Sequence, residues 1–210
     1  MDPISAYLVG FLVLLLFTAF VKIATALTIL RLGIGLDGVG FGFATAALAL
    51  ALSWVVMSPY LDQAGGINNL FSQESSIETI DQTFRPFLIK HADAESIEKL
   101  STFATREVVG EETEVPSEES SEELVEEQTD IALSVLSSAF LMSELKIAFQ
   151  VGVLLLLPFV VIDLLVVNIL SALGVQQISA TVVSFPMKIL LFLAVDGWSL
   201  IVDKLLSGYV

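Results

Sequence analysis

The chain contains no cysteine and only one histidine, His91. Without cysteine there can be no disulfide, thiol catalysis or thiolate-bound metal. A single histidine leaves no room for a histidine metal cluster or a two-histidine relay. Basic residues are scarce too: nine Lys and Arg stand against 24 Asp and Glu, a formal net charge of −15. No basic patch exists, and the acidic excess would repel phosphates, which excludes nucleic acid as a partner. A catalytic set is also missing. A Ser–His–Asp arrangement would have to use His91 beside a weakly specified loop, and nothing positions a carboxylate pair in the acid-rich middle of the chain. The sequence therefore reads as a protein that is not an enzyme, with no cofactor and no metal.

Apolar residues are abundant. Of the 210 residues 55% are hydrophobic and 16% are charged, against about 25% charged in an ordinary soluble chain. A charge of −15 fits so apolar a composition only if the two kinds of residue are segregated. Residues 58–147 hold 19 of the 24 acids and five of the nine bases. This is the pattern of a membrane protein carrying a soluble acidic insert.

Four apolar stretches have helical length: Ile4 to about Leu30, Val39–Met57, about Ala148–Leu173 and Val182–Val202. Isolated strands cannot satisfy their backbone in lipid, so the expected fold class is all-α, with four long apolar helices paired as hairpins. Pro158 and Pro186 lie inside the last two and are expected to kink them. The first stretch has no basic residue before it and a longer apolar run than a signal peptide, so it is expected to be retained. Three regions follow: an N-terminal apolar helical pair over 1–57, a hydrophilic insert over 58–147, and a C-terminal apolar helical pair over 148–210. Lys22 and Arg31 flank the first connection, which places that connection in the cytoplasm and the insert outside.

Within the insert, residues 76–106 are expected to be helical. Ile77, Ile80, Phe84 and Leu88 recur at helical spacing, and Asp93 can cap a second helix whose face carries Ile97, Leu100 and Ala104. Residues 107–130 carry 11 acids and no base, a composition expected to stay solvated and mobile. From near Ile131, Phe140, Leu141, Leu145, Ala148, Phe149 and Gly152 make one apolar helical face.

Gly33, Gly35 and Gly38 match the spacing of a dinucleotide fingerprint, but a long apolar helix precedes them and no βαβ alternation follows. Gly38, Gly42, Ala46, Ala49 and Ser53 form a stripe of small residues that would let another helix approach closely. Lys22, Asp163, Lys188 and Asp196 sit among aliphatics, where a lipid-facing charge would cost several kcal/mol. They should face protein, water or one another. A Lys188–Asp163 pair between helices is one arrangement. Such charges mark either a transport path or subunit joint, or a structural ion pair.

Two blocks carry a family resemblance. Ser143-Glu144-Leu145-Lys146-Ile147-Ala148-Phe149-Gln150-Val151-Gly152 with Leu157-Pro158-Phe159-Val160-Val161-Ile162-Asp163-Leu164 is the first. Ser184-Phe185-Pro186-Met187-Lys188-Ile189-Leu190-Leu191-Phe192 with Val195-Asp196-Gly197-Trp198 is the second. Together they resemble the FliP/SctR family, a membrane subunit of the type III secretion export gate of bacterial flagella and injectisomes. The resemblance implies a channel-forming homo-oligomer of about five copies, joined by two smaller gate subunits and by the switch and export-apparatus subunits. It implies passage of unfolded substrate proteins across the bacterial inner membrane, with the insert on the periplasmic side. It also implies that Glu144, Lys146, Asp163, Lys188 and Asp196 serve subunit packing. By position, Val175, Gln176 and Gln177 correspond to the family's pore-sealing loop. That loop is usually rich in methionine; here it has none, so it would seal by hydrogen bonding instead of by flexible thioethers. Gly35-Leu36-Asp37-Gly38-Val39-Gly40 replaces a stretch that in the family contains proline and asparagine. The rival reading is a small ion- or proton-conducting membrane protein using Asp163 and Asp196 as relay groups.

Overall fold

The structure is a computed structural model that describes residues 18–63, 77–108, 131–175 and 177–209. The described residues form seven helices and no strand: α1 (Phe20–Ile34), α2 (Val39–Gln63), α3 (Ile77–His91), α4 (Ala94–Val108), α5 (Leu133–Ala172), α6 (Ala180–Ala194) and α7 (Gly197–Leu206). The all-α expectation holds. Two of these helices, α2 and α5, are long and apolar enough to cross a bilayer. The picture of four long apolar helices does not carry over. Residues before 18 and the acidic stretch from 109 to 130 lie outside the described residues. The run 182–202 is split into α6 and α7 at Asp196, whose backbone is left-handed (φ 50, ψ 54). Helices α5 and α6 continue through Pro158 and Pro186.

The chain gathers into two compact units. One contains Met57–Glu144, the other Ala19–Val56 with Leu145–Val210. The boundaries after Val56 and after Glu144 fall inside α2 and α5.

In the first unit, Phe84, Phe87 and Leu88 of α3 and Leu136, Ala139 and Phe140 of α5 are all fully buried. The Phe87 ring meets Tyr60 edge-on at 5.0 Å and Phe140 at 5.4 Å, geometries that favour aromatic pairs beyond their area. Arg85 ties the start of α5 to α3, pairing with Asp81 at 2.9 Å and donating to the Ile131 carbonyl at 3.0 Å. Asp93 stands at the head of α4, its carbonyl accepting the N–H groups of Ser96 and Ile97 at 3.0 Å. Its own N–H is satisfied from α5, where the Ser143 hydroxyl accepts it at 2.8 Å while donating to the Ala139 carbonyl at 2.8 Å. Ser143→Ala leaves that part-buried N–H without an acceptor. The expected cost is about 1–3 kcal/mol, read as a Tm lowered by several degrees in the detergent-purified protein.

In the second unit, α1 is the central element. Ile23, Ala26, Leu27, Leu30 and Ile34 recur at three- and four-residue spacing, and all are buried. Around them pack Ala49 of α2, Phe159 of α5, Phe192 of α6, and Ile201 and Leu205 of α7. Two glycines allow close approach between α1 and α5. A Cβ on Gly33 would lie 2.5 Å from Leu156 Cδ1, and one on Gly152 would lie 2.6 Å from Ile29 Cδ1 and 3.0 Å from its Cβ. The chain leaves α1 at Gly35 (φ 97), whose N–H bonds the Arg31 and Leu32 carbonyls while Leu36 N–H returns to Arg31. This left-handed cap favours glycine because it has no Cβ. The three glycines of the fingerprint spacing therefore have separate structural uses: a helix contact, a cap, and at Gly38 the start of α2, where its carbonyl accepts the Phe41 and Gly42 N–H groups.

Candidate functional site: a charged joint among three helices

The last turn of an α-helix leaves carbonyls without intrahelical partners. In α1 the Arg31 and Leu32 carbonyls are taken by the cap, and the Gly33 carbonyl accepts from Lys188 Nζ of α6 at 2.9 Å. An ammonium here also complements the negative end of the α1 dipole. Lys188 is 3% exposed and cannot be buried alone, since an unpaired charge would cost several kcal/mol. Asp163 of α5 supplies the counter-charge, its Oδ2 2.6 Å from Lys188 Nζ. Its other oxygen accepts from the Ser184 hydroxyl at 2.6 Å. Ser184 and Lys188 are four residues apart and share a face of α6. One lysine thus joins the end of α1, the middle of α5 and the face of α6. The Asp163 side chain remains 40% exposed, so the joint has one open side.

Sequence reasoning reached the Lys188–Asp163 pair but missed Ser184, which the four-residue spacing could have supplied. It could not reach the Gly33 carbonyl, because a backbone acceptor leaves no mark in residue identity. Lys22 is 2% exposed, its ammonium 3.6 Å from the centre of the Tyr209 ring, a cation–π contact. Glu144 is buried at 1% exposure while Lys146, two residues on, is exposed. Asp196 departs most from expectation. It is exposed, sits in a helix break instead of within an apolar helix, and makes no capping side-chain bond. Of the small-residue stripe, Ala49 and Ser53 are buried, Gly42 and Ala46 are half-buried, and Gly38 is exposed. Gly42 lies against the Arg31 guanidinium, which also donates to the Gly38 carbonyl at 3.4 Å. Phe149, which belongs to the apolar face expected along α5, is 55% exposed.

The connection from α5 to α6 begins with a left-handed glycine. Gly174 (φ 70) donates to the Ser171 carbonyl at 3.1 Å, and Val175 N–H returns to the Leu170 carbonyl at 2.9 Å. Val175 is half-buried and Gln177 exposed, while Gln176 lies outside the described residues. A Cβ on Gly174 would meet open space, so Gly174→Ala tests the backbone alone. It is expected to cost about 1 kcal/mol through the left-handed conformation, seen as a small fall in Tm, with Gly174→Asn falling less.

The outward surface of α5 and α6 is aliphatic. Leu154, Leu157, Leu164, Leu190 and Leu193 are each more than half exposed. Such a surface needs lipid or other chains to cover it.

The sequence model of the FliP family matches residues 5–205. The flagellar biosynthetic protein FliP of Aquifex aeolicus is 30% identical over 203 residues, covering 94% of this chain and 79% of that protein. The surface presentation of antigens protein SpaP of Salmonella typhimurium is 32% identical over 201 residues, covering 92% and 88%. The harpin secretion protein HrpW of Pseudomonas syringae pv. syringae is 32% identical over 214 residues, covering 98% and 97%. Flagellar and secretion relatives align with nearly the same span, and none of the three names denotes an enzyme. With the match running almost end to end over an all-helical, apolar scaffold, the chain belongs to the FliP family, non-enzymatic membrane components of the flagellar and type III export apparatus.

Proposed function

We propose that this protein is a structural, channel-forming subunit of the type III export gate, and that it helps unfolded substrate proteins cross the bacterial inner membrane. The observation that carries this reading is the near-complete family match on a chain whose α5 and α6 expose aliphatic faces that no other part of the described chain covers. Copies of the same chain, about five, together with two smaller gate subunits and the export-apparatus and switch subunits, would cover those faces. The Asp163–Lys188 joint would hold α1, α5 and α6 in register, and the 174–178 connection would constrict the channel. The hydrophilic insert would lie on the periplasmic side, with the proline sites in α5 and α6 accommodating curvature of the helices.

The test is native mass spectrometry of the detergent-purified protein expressed with its neighbouring genes. A discrete assembly of several copies with two other small membrane proteins is expected. A cysteine placed at Val175, in a chain that has no other, should then crosslink to a substrate trapped in transit. A monomer or dimer in several mild detergents would overturn the reading. Ion conduction is the second reading, and the engagement of Asp163 by both Ser184 and Lys188 favours a joint over a relay. Neutralising a relay carboxylate would abolish conduction and leave assembly intact; neutralising a packing carboxylate would weaken assembly first.

A further inference from the structure

The break between α6 and α7 is two residues long, Val195 and Asp196. The last turn of α6 closes with Val195 N–H on the Leu191 carbonyl at 3.1 Å, and α7 opens with Leu200 N–H on the Asp196 carbonyl at 3.2 Å. Val195 (φ −93, ψ 8) already departs from helical geometry, and Asp196 (φ 50, ψ 54) is left-handed. It is the one non-glycine residue with positive φ among the described residues. Nothing in the run from Val182 to Val202 after Pro186 is a helix breaker except Gly197. If Asp196 turned to the right-handed region and Val195 moved the short way into helical geometry with it, α6 and α7 would join into a single helix from Ala180 to Leu206, about 40 Å long.

Two contacts exist only in the bent form. The Phe192 ring lies against Gly197 so closely that a Cβ there would overlap it, and the ring meets Trp198 edge-on at 5.3 Å. In a straight helix, residues five and six apart point in different directions and could not touch. The bend also seats Ile201 and Leu205 in the core beside α1. Asp196 itself is exposed and makes no capping bond, so its carboxylate gives no visible support to the bend. What aspartate does offer is tolerance of the left-handed conformation, which it and asparagine adopt far more readily than other non-glycine residues.

We propose that Asp196 is a conformational hinge, selected for its left-handed backbone and not for its charge. The Phe192–Gly197–Trp198 contact is the lock that holds α6 and α7 bent, and the bent form is the one competent to assemble. This goes beyond the export-gate reading, because the hinge is read out from distances within one chain whatever that chain assembles with.

The absence of cysteine permits the experiment in the full-length protein in lipid nanodiscs. Spin labels are placed at Met187 and Asp203, both exposed, and the distance between them is measured by pulsed electron resonance. A straight helix would put these Cα atoms about 24 Å apart; the wild type is expected at a shorter distance. Four substitutions separate backbone from charge. Asp196→Asn and Asp196→Gly keep the left-handed preference and lose the charge. Asp196→Glu and Asp196→Ala lose the preference, the first while keeping the charge. The hinge predicts wild-type distances and assembly for Asn and Gly, with a population near 24 Å and at least several-fold less assembled complex for Glu and Ala. Gly197→Leu should shift the distance in the same direction by breaking the lock. If Glu behaves as wild type while Asn fails, the charge matters and the hinge is wrong. If none of the variants changes the distance, the bend does not depend on this residue and the proposal is equally overturned.

Discussion

Asp163→Ala is expected to be the most damaging substitution in the charged joint, destabilising the protein by about 3–5 kcal/mol, because it strands the ammonium of a lysine that is 3% exposed. The converse change should cost less. Lys188→Met leaves a carboxylate that is 40% exposed to its surroundings and still receives the Ser184 hydroxyl. Its main penalty is the Gly33 carbonyl left without its donor, about 1–3 kcal/mol. Removing both charges should cost less than the two losses added, since neither charge is then stranded. Thermal unfolding of the four proteins in one detergent gives the cycle. Equal single costs that simply add in the double variant would show that the two side chains do not act as a pair.

Gly152→Ala should be the most damaging of the glycine changes between α1 and α5. The new Cβ would meet three atoms of Ile29, one of them its own Cβ at 3.0 Å. A β-branched side chain has little rotameric freedom in a helix and cannot swing aside, so α1 and α5 must separate. Overpacking of this kind costs about 1–3 kcal/mol. Gly33→Ala is the control: its closest clash is with the terminal Cδ1 of Leu156, which can rotate away. A larger loss of Tm for Gly152→Ala than for Gly33→Ala is the expected result; the reverse order would mean that Ile29 has more freedom than its contacts indicate. Separation of α1 from α5 would also pull the Gly33 carbonyl from Lys188, so Gly152→Ala should weaken the charged joint without touching its side chains.

Much of the architecture could be read from residue order because it depends on local rules. The apolar runs, the paired helices α3 and α4 with Asp93 between them, and the helix that starts at Leu133 follow from periodicity and capping. Those signals act within a few residues and survive without knowledge of partners. Ionisable residues inside apolar segments pointed to Lys188 and Asp163 for a related reason: burying a charge is costly enough that two opposite charges in neighbouring helices have few alternatives. The resemblance of residues 143–164 and 184–198 to the FliP/SctR family added identity, which composition alone could not supply.

The rest was decided by packing. The same local rules favoured a single helix from Val182 to Val202, and the chain breaks it at Asp196 because Phe192, Gly197 and Trp198 interlock and Ile201 and Leu205 find a core to enter. Those gains arise between residues brought together only once α1 is in place. The acceptor for Lys188 is a backbone carbonyl 155 positions away, freed by the cap at Gly35, and the sequence cannot name it because every residue has a carbonyl. The sequence by itself determined that this is an acidic, cysteine-free, all-helical membrane protein with charges that need partners. Tertiary structure alone chose the partners and the place where the last apolar run turns, because both depend on which groups are left unsatisfied after the helices pack.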